Sequence, residues 1–208
     1  QLMQLASAFV AVQWALNCQK RAVGRVWSGQ NTIWWSFNAV PGRKYDITVS
    51  KRTESLCSDA KGTMVFQSLS AKGAKFKSRK GLNACWARGL RMLVIGDSVT
   101  AGYGVEGKAP CPFAASKETA LQAWAGLTAE ALHADLHILA FSGKGVVRNY
   151  GDSARISSKP FPLYYDRTLA MDSATWTRWN PSWYTPHLVA VMLGANDYST
   201  KPTPTDAQ

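Results

Sequence analysis

Three short apolar runs, each ending at a glycine turn, constrain this chain more than any other feature: Met92–Ile95 enters Gly96, Leu136–Phe141 ends at Ser142-Gly143, and Leu188–Leu193 ends at Gly194. An unbroken rather than alternating apolar run is the form of a strand covered on both faces, as in a parallel sheet. Between the first two runs, Leu121, Trp124, Ala125, Leu127, Thr128 and Leu132 fall near helical spacing within Thr119–Leu132. Strand, helix, strand is a βαβ unit. The third run extends it to a parallel α/β sheet whose ligand site lies at the carboxyl ends of the strands. Leu163–Asp172 is a weaker helix candidate, and the stretch holding Trp176, Trp179 and Trp183 reads as a loop or short helix.

The first half of the chain follows a different pattern. After a turn at Pro41-Gly42, Tyr45, Ile47 and Val49 alternate with Asp46, Thr48 and Ser50, the period of a half-buried strand. A second such run is Met64–Leu69 and a third surrounds Phe76, with Lys61-Gly62 and Lys72-Gly73 between them. Residues 31–88 are therefore expected to form a small antiparallel, sandwich-like β module. Residues 1–30 are a separate N-terminal segment with two readings. Leu5–Leu16 is either the remnant of a secretory h-region in an otherwise unstructured segment, or a helix or strand packed in the first domain. That run, interrupted by Gln13, is also the longest apolar stretch, and it falls short of the roughly 20 residues that cross a bilayer.

Composition bounds the class. With 46% hydrophobic, 18% charged and nine Trp among 208 residues, the chain is neither a coiled coil nor a disordered polymer, and it is long enough to bury a core. Charge is uneven: residues 1–91 hold 15 Lys and Arg against three acids (+12), and residues 92–208 hold nine against ten (−1). The cluster Lys72, Lys75, Lys77, Arg79 and Lys80 suits either a polyanion or a solvated strand edge that resists aggregation. Nucleic acid is not the expected partner. Cys18, Cys57, Cys85 and Cys111 show no C-x-x-C or Cys/His ligand spacing, so no metal site is expected, and their pairing stays open.

The three strand ends carry the chemistry. They read Gly96-Asp97-Ser98-Val99-Thr100, Ser142-Gly143-Lys144-Gly145 and Gly194-Ala195-Asn196-Asp197. A serine in a tight turn between a buried strand and a helix exposes its hydroxyl beside a backbone N–H, which suits a nucleophile. A substrate carbonyl oxygen there would meet the Gly143 N–H and the Asn196 amide as further donors, the composition of an oxyanion hole. Taken singly, Ser98 is an N-cap, Asn196 a turn residue and Gly143 a positive-φ position. Their occurrence at the ends of three successive strands favours the functional reading. No G-x-G-x-x-G follows the first strand and no P-loop is present, which disfavours a nucleotide site.

In order and position these blocks, Gly96-Asp97-Ser98, then Gly143, then Gly194-x-Asn196-Asp197, resemble the first three of the GDSL or SGNH hydrolases, serine esterases on a flavodoxin-like three-layer sheet. Ser142–Asp152, Tyr164-Tyr165-Asp166-Arg167-Thr168-Leu169 and Asn196-Asp197-Tyr198-Ser199-Thr200 are similar to the second carbohydrate esterase family, the acetylxylan esterase type. In that family a small β-sandwich precedes the hydrolase domain, and Lys51-Arg52-Thr53-Glu54 looks like its remnant. The resemblance covers roughly Pro41 to Thr200. It implies a hydrolase domain over residues 89–208 with Ser98 as nucleophile. The Ser98 and Gly143 N–H groups and the Asn196 amide would form the oxyanion hole, with Gly96, Asp97, Gly194 and Asp197 as the supporting motif. It also implies an acetylated plant polysaccharide as substrate, no cofactor, and action outside the cell.

The family takes its general base from a histidine in a later Asp-x-x-His block, and this sequence has none. Its three histidines are His133, His137 and His187, and the last two start strands whose far ends carry the site. About six residues at 3.3 Å each separate them from it, so no catalytic histidine is expected among them. The chain therefore reads as part of a longer esterase with an exposed sheet edge, hydrolysing esters feebly by itself. Two other readings stand beside it: a non-catalytic carbohydrate-binding protein, with Trp176, Trp179, Trp183 and Tyr198 as stacking surfaces, and a polyanion-binding module on the basic half.

Overall fold

A computed structural model of the chain describes residues 3–5, 10–16, 19–26, 29–31, 36, 38–54, 64–65, 68, 70, 73, 75, 89–168, 170 and 178–200. Nine strands are found among them: β1 (Met3–Leu5), β2 (Val10–Leu16), β3 (Gln19–Val26), β4 (Gly29–Asn31), β5 (Ile47–Lys51), β6 (Met64–Val65), β7 (Arg91–Gly96), β8 (Asp135–Ala140) and β9 (Leu188–Met192).

The first six form two antiparallel sheets of order β4-β1-β6 and β3-β2-β5. Of the two readings of residues 1–30, a leader remnant or a packed helix or strand, the described residues take the strand: they supply β1, β2, β3 and the start of β4. The reason is legible in Val10–Leu16, where Val10, Val12, Trp14 and Leu16 alternate with Ala11, Gln13 and Ala15. Gln13, which interrupts the run when it is read as an h-region, falls in phase with a strand. Because β2 pairs with β5 and β1 with β6, residues 1–30 and the following module share both sheets. The expected strand near Phe76 and most of the Lys72–Lys80 cluster lie outside the described residues, as do Cys18, Cys57, Cys85 and Trp176. Cys111 is a free thiol.

The second half is a three-stranded parallel sheet of order β8-β7-β9. The chain leaves the central strand to one side and later returns to the other, the 2-1-3 order that opens a crevice at the carboxyl ends of the strands. Its central strand explains why the run reads as unbroken. Met92 and Val94 pack on one face against Ala125, Ala129 and Ala134, while Ile95, with Leu93 beside it, packs on the other against Phe141, Phe161 and Tyr164. Thr119–Leu132 forms a single 3-10 turn, Ala120–Gln122, and then the helix α2 (Trp124–Ala131). Two alanines one turn apart, Ala125 and Ala129, are fully buried and let α2 lie close on the sheet.

Two expectations fail in this half. Among its described residues, Leu163–Asp172 holds no α-helix: Phe161–Leu163 is a 3-10 turn, and Tyr164 to Arg167 run through turns. Pro160 and Pro162 at its start withhold two backbone donors. Leu188–Leu193 is a strand, as expected, but Leu188, Val189, Val191 and Met192 are all exposed. The physical reason is position: β9 is an edge with only β7 paired to it among the described residues.

Candidate active site

The glycine turn after β7 delivers Ser98 as the first residue of a short helix, α1 (Ser98–Ala101). Asp97 caps it, its carboxylate accepting the Val99 N–H at 3.1 Å. Gly96 is required there by space, because a Cβ on it would collide with the side chain of the buried Thr100. Ser98 itself is half-buried, and its hydroxyl has no hydrogen-bond partner among the described residues. A cleft of about 360 Å³ opens beside it, lined by Val99, Tyr103, Val105, Gln122, Ala123 and Trp124.

The other two strand ends come to the same place. Asn196, 7% exposed, donates its side-chain amide to Asp97 Oδ2 at 3.3 Å and to the Lys144 carbonyl at 2.9 Å. One side chain thus ties the loop of Ser98 to the loop of Gly143. Both amide hydrogens of Asn196 are engaged, with the longer bond directed to Asp97. Gly143 has φ +75° and sits third in a turn closed by the Lys144 N–H on the Phe141 carbonyl at 3.2 Å, the type II pattern that glycine satisfies without strain. Gly194 has φ +113° and turns the chain after β9.

Asp197 is a clamp. Its carboxylate accepts N–H bonds from Val146, Val147 and Arg148 at 2.9, 2.7 and 2.9 Å. Burial raises its pKa, and the backbone bonds from Arg148, Val147 and Val146 together outweigh that, so it lies below the ordinary carboxylate value. Arg148, 1% exposed, returns the contact by donating Nε and Nη2 to the Asp197 carbonyl, and Nη2 also to the Thr200 carbonyl. The loop from Lys144 to Pro160 is fixed to the end of β9 by these bonds.

The three histidines lie elsewhere. His187 is paired through its backbone and Nδ1 to the Arg91 backbone at 2.8 and 3.0 Å, five residues before Gly96. His137 stands opposite Leu93 in the register, roughly 10 Å along the strand from Gly96 at 3.3 Å per residue. Its ring lies against Trp179 and Tyr184 at 5.0 and 5.1 Å, and burial holds its pKa below the usual value while Asp135 opposes that shift. His133 follows α2 with φ 50°. The aromatic candidates divide: Trp179 and Trp183 pack edge to face at the His137 end, whereas Tyr198, 54% exposed, stands two residues past Asn196.

Three residues of this region were not singled out by sequence pattern. Tyr150 is 71% exposed, and its N–H bonds the Gly143 carbonyl at 2.9 Å. Lys144 donates Nζ to the Lys159 carbonyl at 2.9 Å and lies 4.8 Å over the Tyr164 ring; burial lowers its pKa, with Lys159 adding to the shift and Glu54 opposing it. Glu54, from the segment after β5, accepts the Ser142 N–H at 2.5 Å. Its only sequence signal was its place in Lys51-Arg52-Thr53-Glu54, which pointed to the first module rather than to the site. No group of three or more His, Cys, Asp or Glu that could hold a metal is found among the described residues.

Known proteins resemble this chain in sequence and in fold. The chain is 36% identical over 129 residues to a cellulase/esterase of Acetivibrio thermocellus, 62% of this chain and 15% of that protein. It is 30% identical over 169 residues to an acetylxylan esterase/glucomannan deacetylase of Cellvibrio japonicus, 77% of this chain and 41% of that one. Its fold superposes on a family two carbohydrate esterase from Clostridium thermocellum in complex with cellohexaose (TM-score 0.78, 24% identity, 99% of this chain and 58% of that one). It also superposes on an acetyl xylan esterase of the rumen bacterium Butyrivibrio proteoclasticus (TM-score 0.80, 19% identity, 98% and 55%). The chain spans less than half the length of these two curated relatives. The sequence pattern of the GDSL-like lipase/acylhydrolase family matches residues 94–208, from within β7 onward, and the chain belongs to that family.

Proposed function

We propose that this chain carries the nucleophile and oxyanion donors of a serine esterase that removes O-acetyl groups from a plant polysaccharide such as xylan. The observation that carries the reading is the unpartnered hydroxyl of Ser98 at the start of α1, joined through Asp97, Asn196 and Lys144 to the turn that presents Gly143. The relatives named as acetylxylan esterases support the substrate class. Ser98 Oγ attacks the acetyl carbonyl, its proton passes to a base, and the sugar hydroxyl leaves protonated; water then attacks the acyl-enzyme and releases acetate. The Ser98 and Gly143 N–H groups stabilise the developing oxyanion. The Asn196 amide joins them by exchanging its longer bond, to Asp97, for the substrate oxygen. No metal or organic cofactor enters these steps.

None of the three histidines is placed to accept the Ser98 proton. Since a positioned base contributes about 10² to 10⁴ in rate, the 208-residue chain assayed alone should turn over esters at least about 100-fold below an intact acetylesterase. In this reading the two antiparallel sheets form a sandwich-like module ahead of a hydrolase domain over residues 89–208. The polymeric substrate places the protein outside the cell.

Acetate release from acetylated xylan, compared between the protein and Ser98→Ala, tests the reading; equal release by both would sink it. Exposed Tyr150 and Tyr198 beside the site favour a second reading, a carbohydrate-binding protein without turnover. Undiminished binding of acetylated xylan by Ser98→Ala, with no acetate released by either protein, would select it.

A further inference from the structure

We infer that Glu54 is a positioning residue for the oxyanion-hole turn. Resting on the esterase reading above, its carboxylate grips the Ser142 N–H and so fixes which way the adjoining Gly143 N–H points. Glu54 lies 88 residues before Ser142 in the chain, yet its Oε2 accepts that N–H at 2.5 Å. A bond from a neutral amide to a carboxylate is stronger than one to a neutral acceptor, and it holds the donor's peptide plane more firmly.

The turn shows what such a grip controls. In Phe141–Lys144 the peptide between Gly143 and Lys144 is held at both ends, its carbonyl by the Tyr150 N–H at 2.9 Å and its N–H by the Phe141 carbonyl at 3.2 Å. The peptide between Phe141 and Ser142 is held by Glu54. The peptide between them carries the Gly143 N–H, and neither of its groups bonds another described residue, so its orientation is set by its pinned neighbours. Rotating it by half a turn would convert the type II turn to type I, a conformation open to most residues, and would aim the Gly143 N–H away from the acyl group.

Glu54 is itself braced. Its N–H donates to Glu118 Oε1 at 3.3 Å, and Glu118 is 1% exposed. Its carbonyl and that of Thr53 accept from Lys51 Nζ at 3.1 and 2.6 Å. Two residues earlier, the buried Arg52 pairs with Glu106 at 2.6 Å. The segment after β5 is thus fastened to the hydrolase half at Glu106, Glu118 and Ser142. That gives the antiparallel half a part in the chemistry: it delivers the carboxylate.

The test is Glu54→Gln, nearly isosteric, with Glu54→Ala beside it and a thermal melt on each. Loss of one oxyanion donor typically costs about 10² to 10³ in kcat. A donor that still points correctly part of the time should lose less, so Glu54→Gln is expected to lower kcat for 4-nitrophenyl acetate about 10- to 100-fold, with KM within about threefold. Amide exchange at Ser142 should accelerate at least about tenfold, since its charged acceptor is gone. A merely structural role would move the melt and KM together with kcat. If kcat stays within about twofold while Ser98→Ala abolishes turnover, the positioning role is overturned and the esterase reading survives. If Ser98→Ala leaves turnover unchanged, the esterase reading fails. The exchange rate of Ser142 in Glu54→Gln then decides the Glu54 grip alone, and an unchanged rate overturns it.

Discussion

The two ends of the parallel sheet are built from the same three strands and do opposite things. At the amino ends, Arg91, His187, Tyr184 and Asp135 pair across the sheet: the Tyr184 hydroxyl lies 3.1 Å from the Met92 carbonyl and 2.5 Å from that of Asp135, and His137 packs between Trp179 and Tyr184. Side chains capable of acid–base chemistry are spent there on holding strands together. Burial pushes the Tyr184 hydroxyl up to about 12, with the Asp135 charge adding to the shift, so it donates as a phenol throughout the working range. At the carboxyl ends, Asp97, Asn196 and Asp197 hold loops to one another, and the Ser98 hydroxyl is left with no partner among the described residues. Polar groups are paired off at one end, and a hydroxyl is left unpaired among the described residues at the other. Residue type alone does not announce position: His137 and His187 lie toward the ends where strands begin, and Ser98, Gly143 and Asn196 lie where strands end.

Substitutions at each end should separate these roles. The largest effect is expected from Asp197→Ala, which leaves the backbone N–H groups of Val146, Val147 and Arg148 without their carboxylate acceptor. At about 1 to 3 kcal/mol for each unsatisfied buried group, the loss should be about 3 kcal/mol or more in denaturant unfolding, and ester turnover should fall as the Lys144–Pro160 loop loosens. A loss under about 1 kcal/mol would mean that this clamp is ornamental. Tyr184→Phe at the opposite end should cost about 1 kcal/mol, the net worth of one hydrogen bond, and leave turnover unchanged. A fall in kcat there would break the division between the ends.

The smallest effect concerns pH. Burial lowers the His137 pKa in the folded chain, so its neutral form is favoured by folding. That contribution is fully present above the unfolded value near 6.5 and is lost as pH falls from there through the lowered folded value. His137→Phe keeps an aromatic ring between Trp179 and Tyr184 and should flatten the stability profile below pH 6.5. An unchanged slope would show that another group titrates there.

Much of this arrangement was legible along the chain. The run Met92–Ile95 gave away its burial on both faces because Met92 and Val94 face one core cluster and Ile95 faces the other. Ser98, Gly143 and Asn196 were readable because each follows a strand directly, and local turn chemistry requires glycine beside them. Leu188–Leu193 misled about burial, since an edge strand and a central strand have the same composition and differ only in what lies beside them. The first thirty residues left two readings open because an apolar run with one Gln satisfies both an h-region and a strand.

The sequence by itself therefore determined the alternation of strands and helix, the direction of the strand ends and the place of Ser98 in the turn after the first strand of the parallel sheet, all of which depend on neighbours a few residues apart. Tertiary structure alone decided which acceptors the Asn196 amide would find and that Asp197 would hold three N–H groups some fifty residues upstream. It also brought the carboxylate of Glu54 to Ser142. Those contacts join residues whose separation carries no periodic trace, because hydrogen bonds form between groups that are close in space, and closeness in space is settled only when the sheets pack.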